Sequence, residues 1–150
     1  MPRGPMLALL FTCLSLLASN VYAILVVSQP WVRLSADQRS AEVYMELQSS
    51  EGAVLVGASS FAAARVALKL SGKGANGGKE LTLPANVAVQ LVPAGHRIAL
   101  TKLVKPLKLG ERVPLSLMIK SADGSLQELL VSAEVRRHSA VEDELHSHRH

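Results

Sequence analysis

Imidazole and thioether are the side chains here that could hold a soft or borderline metal, and both are unevenly placed. Of the five histidines, His96 stands alone in the body, and His138, His146, His148 and His150 lie near the C-terminus. His146, His148 and His150 are separated by single residues. In an extended chain alternate side chains share one side, so these three imidazoles can converge on one ion. An open, nitrogen-rich site of that kind suits Cu(II), Ni(II) or Zn(II). Ordering a flexible tail costs entropy, so weak affinity is expected. The other reading of the same histidines is a solvated tail that holds nothing. His96 also has two readings. It can be a metal ligand, or, being in phase with Ile98 and Leu100, a partly buried histidine whose nitrogens are satisfied by the backbone. Sulfur is scarce. Met45 is in phase with Val43 and Leu47 and reads as core filler, Met118 lies on the face opposite Leu117, and the single cysteine is Cys13.

Other chemistries lack their parts. Catalysis needs a base in reach of a nucleophile and a third group to orient it. The body offers one histidine, no Gly-x-Ser-x-Gly, and acidic residues scattered over polar faces and turns without a paired spacing. No enzyme activity is expected. The Gly-rich Ser71–Gly78 stretch could cradle phosphate only if a helix came directly after it. A strand pattern, Glu80–Pro84, stands there instead, so the stretch reads as a solvated hairpin connection. The formal net charge of +4 is spread without a run and aromatic residues make up 3% of the chain. That excludes the clustered cations and stacking rings of a nucleic-acid binder.

The ends differ from the middle. Residues 1–23 carry Arg3, an apolar run from Met6 to Leu17, and a small-residue cleavage signal at Val21-Tyr22-Ala23, the layout of a secretory signal peptide. Cleavage after Ala23 is expected; the competing reading is an uncleaved anchor, with Ile24–Val27 extending the apolar run and the membrane reached only through it. Either way the protein is exported. With Cys13 in the leader, a disulfide scaffold and a thiol nucleophile both drop out, and the domain must be held by its core. Residues 136–150 turn charged and histidine-bearing, with Glu142-Asp143-Glu144 preceding the last histidines, and read as a disordered tail.

Between these ends, residues 24–135 read as one domain of short strands. Val113–Lys120 alternates most clearly, with Pro114 belonging at its start or on an edge because proline cannot donate to a ladder. Asp123-Gly124 is a hairpin signal, and its partner strand, Leu126–Val135, carries Leu129, Val131, Ala133 and Val135 on the core face. Val43, Met45 and Leu47 oppose Glu42, Tyr44, Glu46 and Gln48 on another strand. Val66, Leu68 and Leu70 face inward on a third, and Val87, Val89 and Leu91 share one face of a fourth. Ile24–Leu34 is broken by Pro30 and reads as an edge or bent strand. Ala62–Ala64 could hold one helical turn, too short to stand alone. Seven or more strands at intervals of roughly 8–12 residues, without a helical pattern, indicate an all-β Greek-key β-sandwich.

The stretch LTLPANVAVQLVPAGHRIALTKLVKPLKLGERVPLSLMIK, with Trp31-Val32-Arg33 and Ala41-Glu42-Val43-Tyr44-Met45 before it, resembles the periplasmic copper chaperones of the PCu(A)C type. The resemblance covers most of the chain after the leader. It implies a cupredoxin-like fold, a periplasmic location, and a role handing copper to the Cu(A) site of cytochrome c oxidase, with that enzyme's assembly components as partners. It also implies a Cu(I) site of two histidines and two methionines, and here the chain departs. Lys69 stands where the first histidine belongs. SGKGANGG replaces the methionine-bearing connection. His96-Arg97-Ile98 replaces His-x-Met, so His96 alone matches. Soft Cu(I) prefers several thioether and imidazole donors together, and a lysine ammonium beside the site opposes a cation. The expected protein is therefore a copper chaperone-like scaffold with a degenerate Cu(I) site, any copper being held by His96 or by His146, His148 and His150. The alternative is a metal-free periplasmic interaction module.

Overall fold

Period-two alternation runs through nearly every segment of the body, and a chain patterned that way must bury one face of each strand against another sheet. The computed structural model describes residues 24–72, 75–76 and 78–137. The strands are β1 (Leu25–Leu34), β2 (Ala41–Ser49), β3 (Ala53–Ser59), β4 (Ala63–Lys69), β5 (Ala75–Asn76), β6 (Glu80–Leu83), β7 (Val89–Leu91), β8 (Arg97–Leu103), β9 (Arg112–Ser121) and β10 (Leu126–Val135). No helix occurs among the described residues. The hydrogen-bonded order is β4-β8-β2-β1-β10-β9-β3-β6-β5, with β7 on β2. Sequence neighbours are thus often separated in space, as in a Greek key. The fold is the expected cupredoxin-like β-sandwich, wrapped into a nearly closed sheet. Leu47, Leu55, Ile98, Leu100 and Leu117 are among its fully enclosed side chains, each worth roughly 1.5–3 kcal/mol relative to exposure.

The two halves meet through β1 and β10, and that junction is short. Their parallel pairing covers only Trp31–Val32 against Glu134–Val135. The bend expected at Pro30 is the reason. Gln29 adopts φ 49° and the β1–β2 register slips between Ser28 and Trp31. Among the described residues Leu25–Ser28 therefore pairs with β2 only, while Trp31–Leu34 crosses toward β10. Pro114 sits at the third position of β9, where its missing N–H costs nothing. Val135 N–H donates to Glu111 O, so odd residues of β9 face β10 and even ones, Pro114 included, face the β3 side. There β3 has already ended, at Ser59 opposite Ser116.

Several local expectations change. Ala62–Ala64 makes no helical turn; the chain turns at Phe61–Ala62 and enters β4 at Ala63. Val87 is exposed rather than in phase with Val89 and Leu91, because Asn86 at φ 60° turns the chain and β7 begins only at Val89. Ala75 and Asn76 within the Gly-rich connection pair with Leu81 and Glu80. Tyr44, expected on the polar face, is 1% exposed because its neighbours on that face roof it over. Arg136, assigned to the tail, is held: its N–H donates to Val32 O at 2.9 Å and its guanidinium pairs with Glu134 at 3.0 Å. The leader expected over residues 1–23, and His138, His146, His148 and His150, lie outside the described residues.

Candidate metal-binding end

A tight turn delivers His96 to the start of β8. Gly95 N–H donates to Val92 O, and Val92 N–H to His96 O, both at 2.9 Å. Gly95 suits this closure, since a Cβ there would lie 3.1 Å from Val92 Cγ2. The imidazole is half-buried and its Nδ1 accepts the Ser71 N–H at 3.1 Å. Of the two readings of His96, this geometry is the backbone-satisfied one. It also bears on ligation. A neutral imidazole that accepts at Nδ1 carries its proton at Nε2, so neither nitrogen offers a free lone pair while the Ser71 bond stands.

The surroundings do not complete a copper site. Lys69 pairs with Arg97 across β4 and β8, placing two cationic residues in register one step from His96. Ile98, where the resemblance calls for methionine, is fully buried. Met45 is 3% exposed within the apolar core, as its phase with Val43 and Leu47 indicates, and lies opposite Leu91. Met118 is on β9, in register with Gly57 and Glu128. Among the described residues no group of three or more His, Cys, Asp or Glu side chains is placed to hold a metal ion. The donor set of the body does not fit Cu(I).

What the strands do assemble beside His96 is a polar cluster that residue spacing left unseen. Arg33, Glu42, Tyr44 and Arg97 come from β1, β2 and β8. Glu42 accepts from Arg97 Nε at 3.0 Å and from an Arg33 nitrogen at 3.5 Å, and the Tyr44 hydroxyl donates to the same carboxylate. Trp31 tilts against Tyr44 with ring centroids 4.8 Å apart, and the Arg33 guanidinium carbon lies 5.3 Å from the Tyr44 ring centre. Burial, then the hydrogen bond to Glu42 and its negative charge, push the Tyr44 phenol far above its usual range. The Tyr44 hydroxyl is accordingly a hydrogen-bond donor to Glu42. Arg97 also donates to Gly95 O at 3.2 Å, which couples the cluster to the His96 turn. The available signal was the opposite charge of Arg33 and Glu42 on flanking strands, readable only once their register is known.

The family model described as "Putative lipoprotein LpqE-like" matches residues 25–142. No curated protein matches the chain at a significant level. Among solved structures, the apo PCuAC domain from PmoF1 is 22% identical, with a TM-score of 0.66 over 76% of this chain and 94% of its own. The copper-bound PCuAC domain from PmoF2 is 20% identical, with a TM-score of 0.62 over 76% and 93%. The solution structure of Cu(I)-DR1885 from Deinococcus radiodurans is 28% identical, with a TM-score of 0.56 over 77% of each chain. The sequence resemblance and the fold thus agree on a PCuAC-type, copper chaperone-like scaffold, and by its match from Leu25 onward the chain belongs to the LpqE-like family.

Proposed function

We propose that this is an exported copper chaperone-like protein in which nitrogen has replaced sulfur as the metal donor. Copper, as cargo, is carried as Cu(II) by His146, His148 and His150, with Zn(II) as a competitor. The other candidate ligand, His96, is available only when its bond to the Ser71 N–H is broken. The match to Cu(I)-DR1885 across most of both chains supports the copper chaperone-like part of the reading, and the single-residue spacing of His146, His148 and His150 supports the nitrogen donors. By the resemblance, the cargo passes toward the Cu(A) site of cytochrome c oxidase, and the partners are its assembly components.

Titration of the full-length protein with Cu(I) and Cu(II) against a competing chelator tests this. Cu(II) uptake is expected to vanish in His146→Ala/His148→Ala/His150→Ala and to persist in His96→Ala. The reverse pattern overturns the assignment and moves the metal into the body. Metallation of an isolated Cu(A) domain by the loaded protein tests delivery. A second reading, a metal-free periplasmic interaction module, is favoured by the occupied Nδ1 of His96 and by Lys69 at the vacated ligand position. Absence of uptake by wild type with either ion leaves that reading standing.

A further inference from the structure

Strand β10 is only partly covered on its β1 side. Beyond Glu134 and Val135 it has no partner there among the described residues, so Leu126–Ala133 pairs with β9 alone. Two bonds fix the direction of its free groups. Val135 N–H points to Glu111 on the β9 side, and Arg136 N–H points to Val32 on the β1 side. By alternation Glu128, Leu130 and Ser132 turn both N–H and C=O to the open edge. Edge strands are ordinarily guarded by lysine, proline or a bulge. Leu126–Ala133 has none of these, pairs with β9 in unbroken register, and its one charge, Glu128, accepts a hydrogen bond from the Ser116 hydroxyl. Leu126 is 61% and Leu130 78% exposed.

We propose that this edge docks a second copy of the same chain, β10 against β10, antiparallel about a two-fold axis at Leu130. Symmetry makes such a contact self-complementary, and the strand's composition selects the register. Outward-facing groups meet only when even residues oppose even residues. Centring on Leu130 sets the two leucines against each other and Glu128 against the partner's Ser132, a carboxylate facing a hydroxyl. Centring on Glu128 would oppose two carboxylates, and centring on Val131 would oppose Glu128 to the partner's Glu134. Both alternatives are disfavoured, and centring on Leu129 would set each Glu128 carboxylate against the partner's Leu130 instead of joining the two exposed leucines.

Site-specific cross-linking of the full chain, with Cys13→Ser to remove the native thiol, reads the register directly. Hydrogen-bonded antiparallel partners lie about 5.5 Å apart at Cα, within disulfide reach. Leu130→Cys is expected to give a covalent dimer under mild oxidation, and Gln127→Cys, which faces the partner's Ala133, is not. Leu130→Lys, at a solvent-facing position, is expected to weaken association by at least about tenfold with unchanged circular dichroism. Equal cross-linking at both positions, association that survives Leu130→Lys, or a wild-type monomer at high micromolar concentration that instead captures an extended foreign peptide would each overturn the proposal.

Discussion

The bond between the Tyr44 hydroxyl and Glu42 makes a measurable claim about what holds the β1–β2–β8 face. Tyr44→Phe removes the donor and leaves Glu42 facing Arg33 and Arg97. Glu42→Ala leaves the Tyr44 hydroxyl enclosed without an acceptor and releases both guanidinium groups. A hydrogen bond to a charged acceptor contributes about 1.5–3 kcal/mol. The Glu42 side chain is 33% exposed, so solvent screening reduces this, and each arginine pair adds only about 0.2–1 kcal/mol. A double-mutant cycle of Tyr44→Phe and Glu42→Ala should therefore return a coupling of about 1–2 kcal/mol. Equilibrium urea unfolding followed by the fluorescence of Trp31 suits the measurement, since Trp31 is the only tryptophan and lies against Tyr44. Coupling within error of zero would refute the inference that this bond, rather than ring burial alone, fixes Tyr44.

The same phenol predicts alkaline behaviour. Its folded pKa is raised above the ordinary value of 10.0, so above pH 10 the unfolded chain loses a proton that the folded one keeps, and stability declines as pH rises. Tyr44→Phe should flatten that decline in a pH series of unfolding midpoints. The acid side has the opposite sign. The Ser35 hydroxyl holds Asp37 low, the Ser125 hydroxyl holds Asp123 low, the Lys108 N–H holds Glu111 low and the Arg136 guanidinium holds Glu134 low. Their contribution is present above the ordinary carboxylate range and is lost as pH falls through the folded values, which Ser125→Ala should moderate. Gly124 turns β9 into β10 at φ 89°, and Gly124→Ala should destabilise by about 1 kcal/mol in thermal unfolding. His96→Ala should cost about 1 kcal/mol, the worth of one hydrogen bond; a much larger loss would show that the imidazole packs as core.

Much of the architecture was legible along the chain, and the misses have physical causes. Val113, Leu115, Leu117 and Ile119 alternate cleanly and are buried on β9. Val131, Ala133 and Val135 do the same on β10. Val87 failed because a single left-handed residue, Asn86, breaks the phase between it and β7. Tyr44 failed because alternation assigns a residue to a side of its strand and says nothing of what covers that side. The candidate metal end was half legible. Lys69 and the absent thioethers could be read directly, whereas the Ser71 N–H on Nδ1 joins residues 25 positions apart.

Residue order alone determined that this is an all-β chain with a PCu(A)C-like pattern stripped of sulfur donors, because periodicity and donor identity are one-dimensional properties. Tertiary structure decided which lone pairs of His96 remain, which charges Glu42 gathers, and that β10 keeps an open edge among the described residues. Each of those depends on register between strands distant in the chain, and register is set by the bend at Gln29–Pro30 and by the mutual burial of faces.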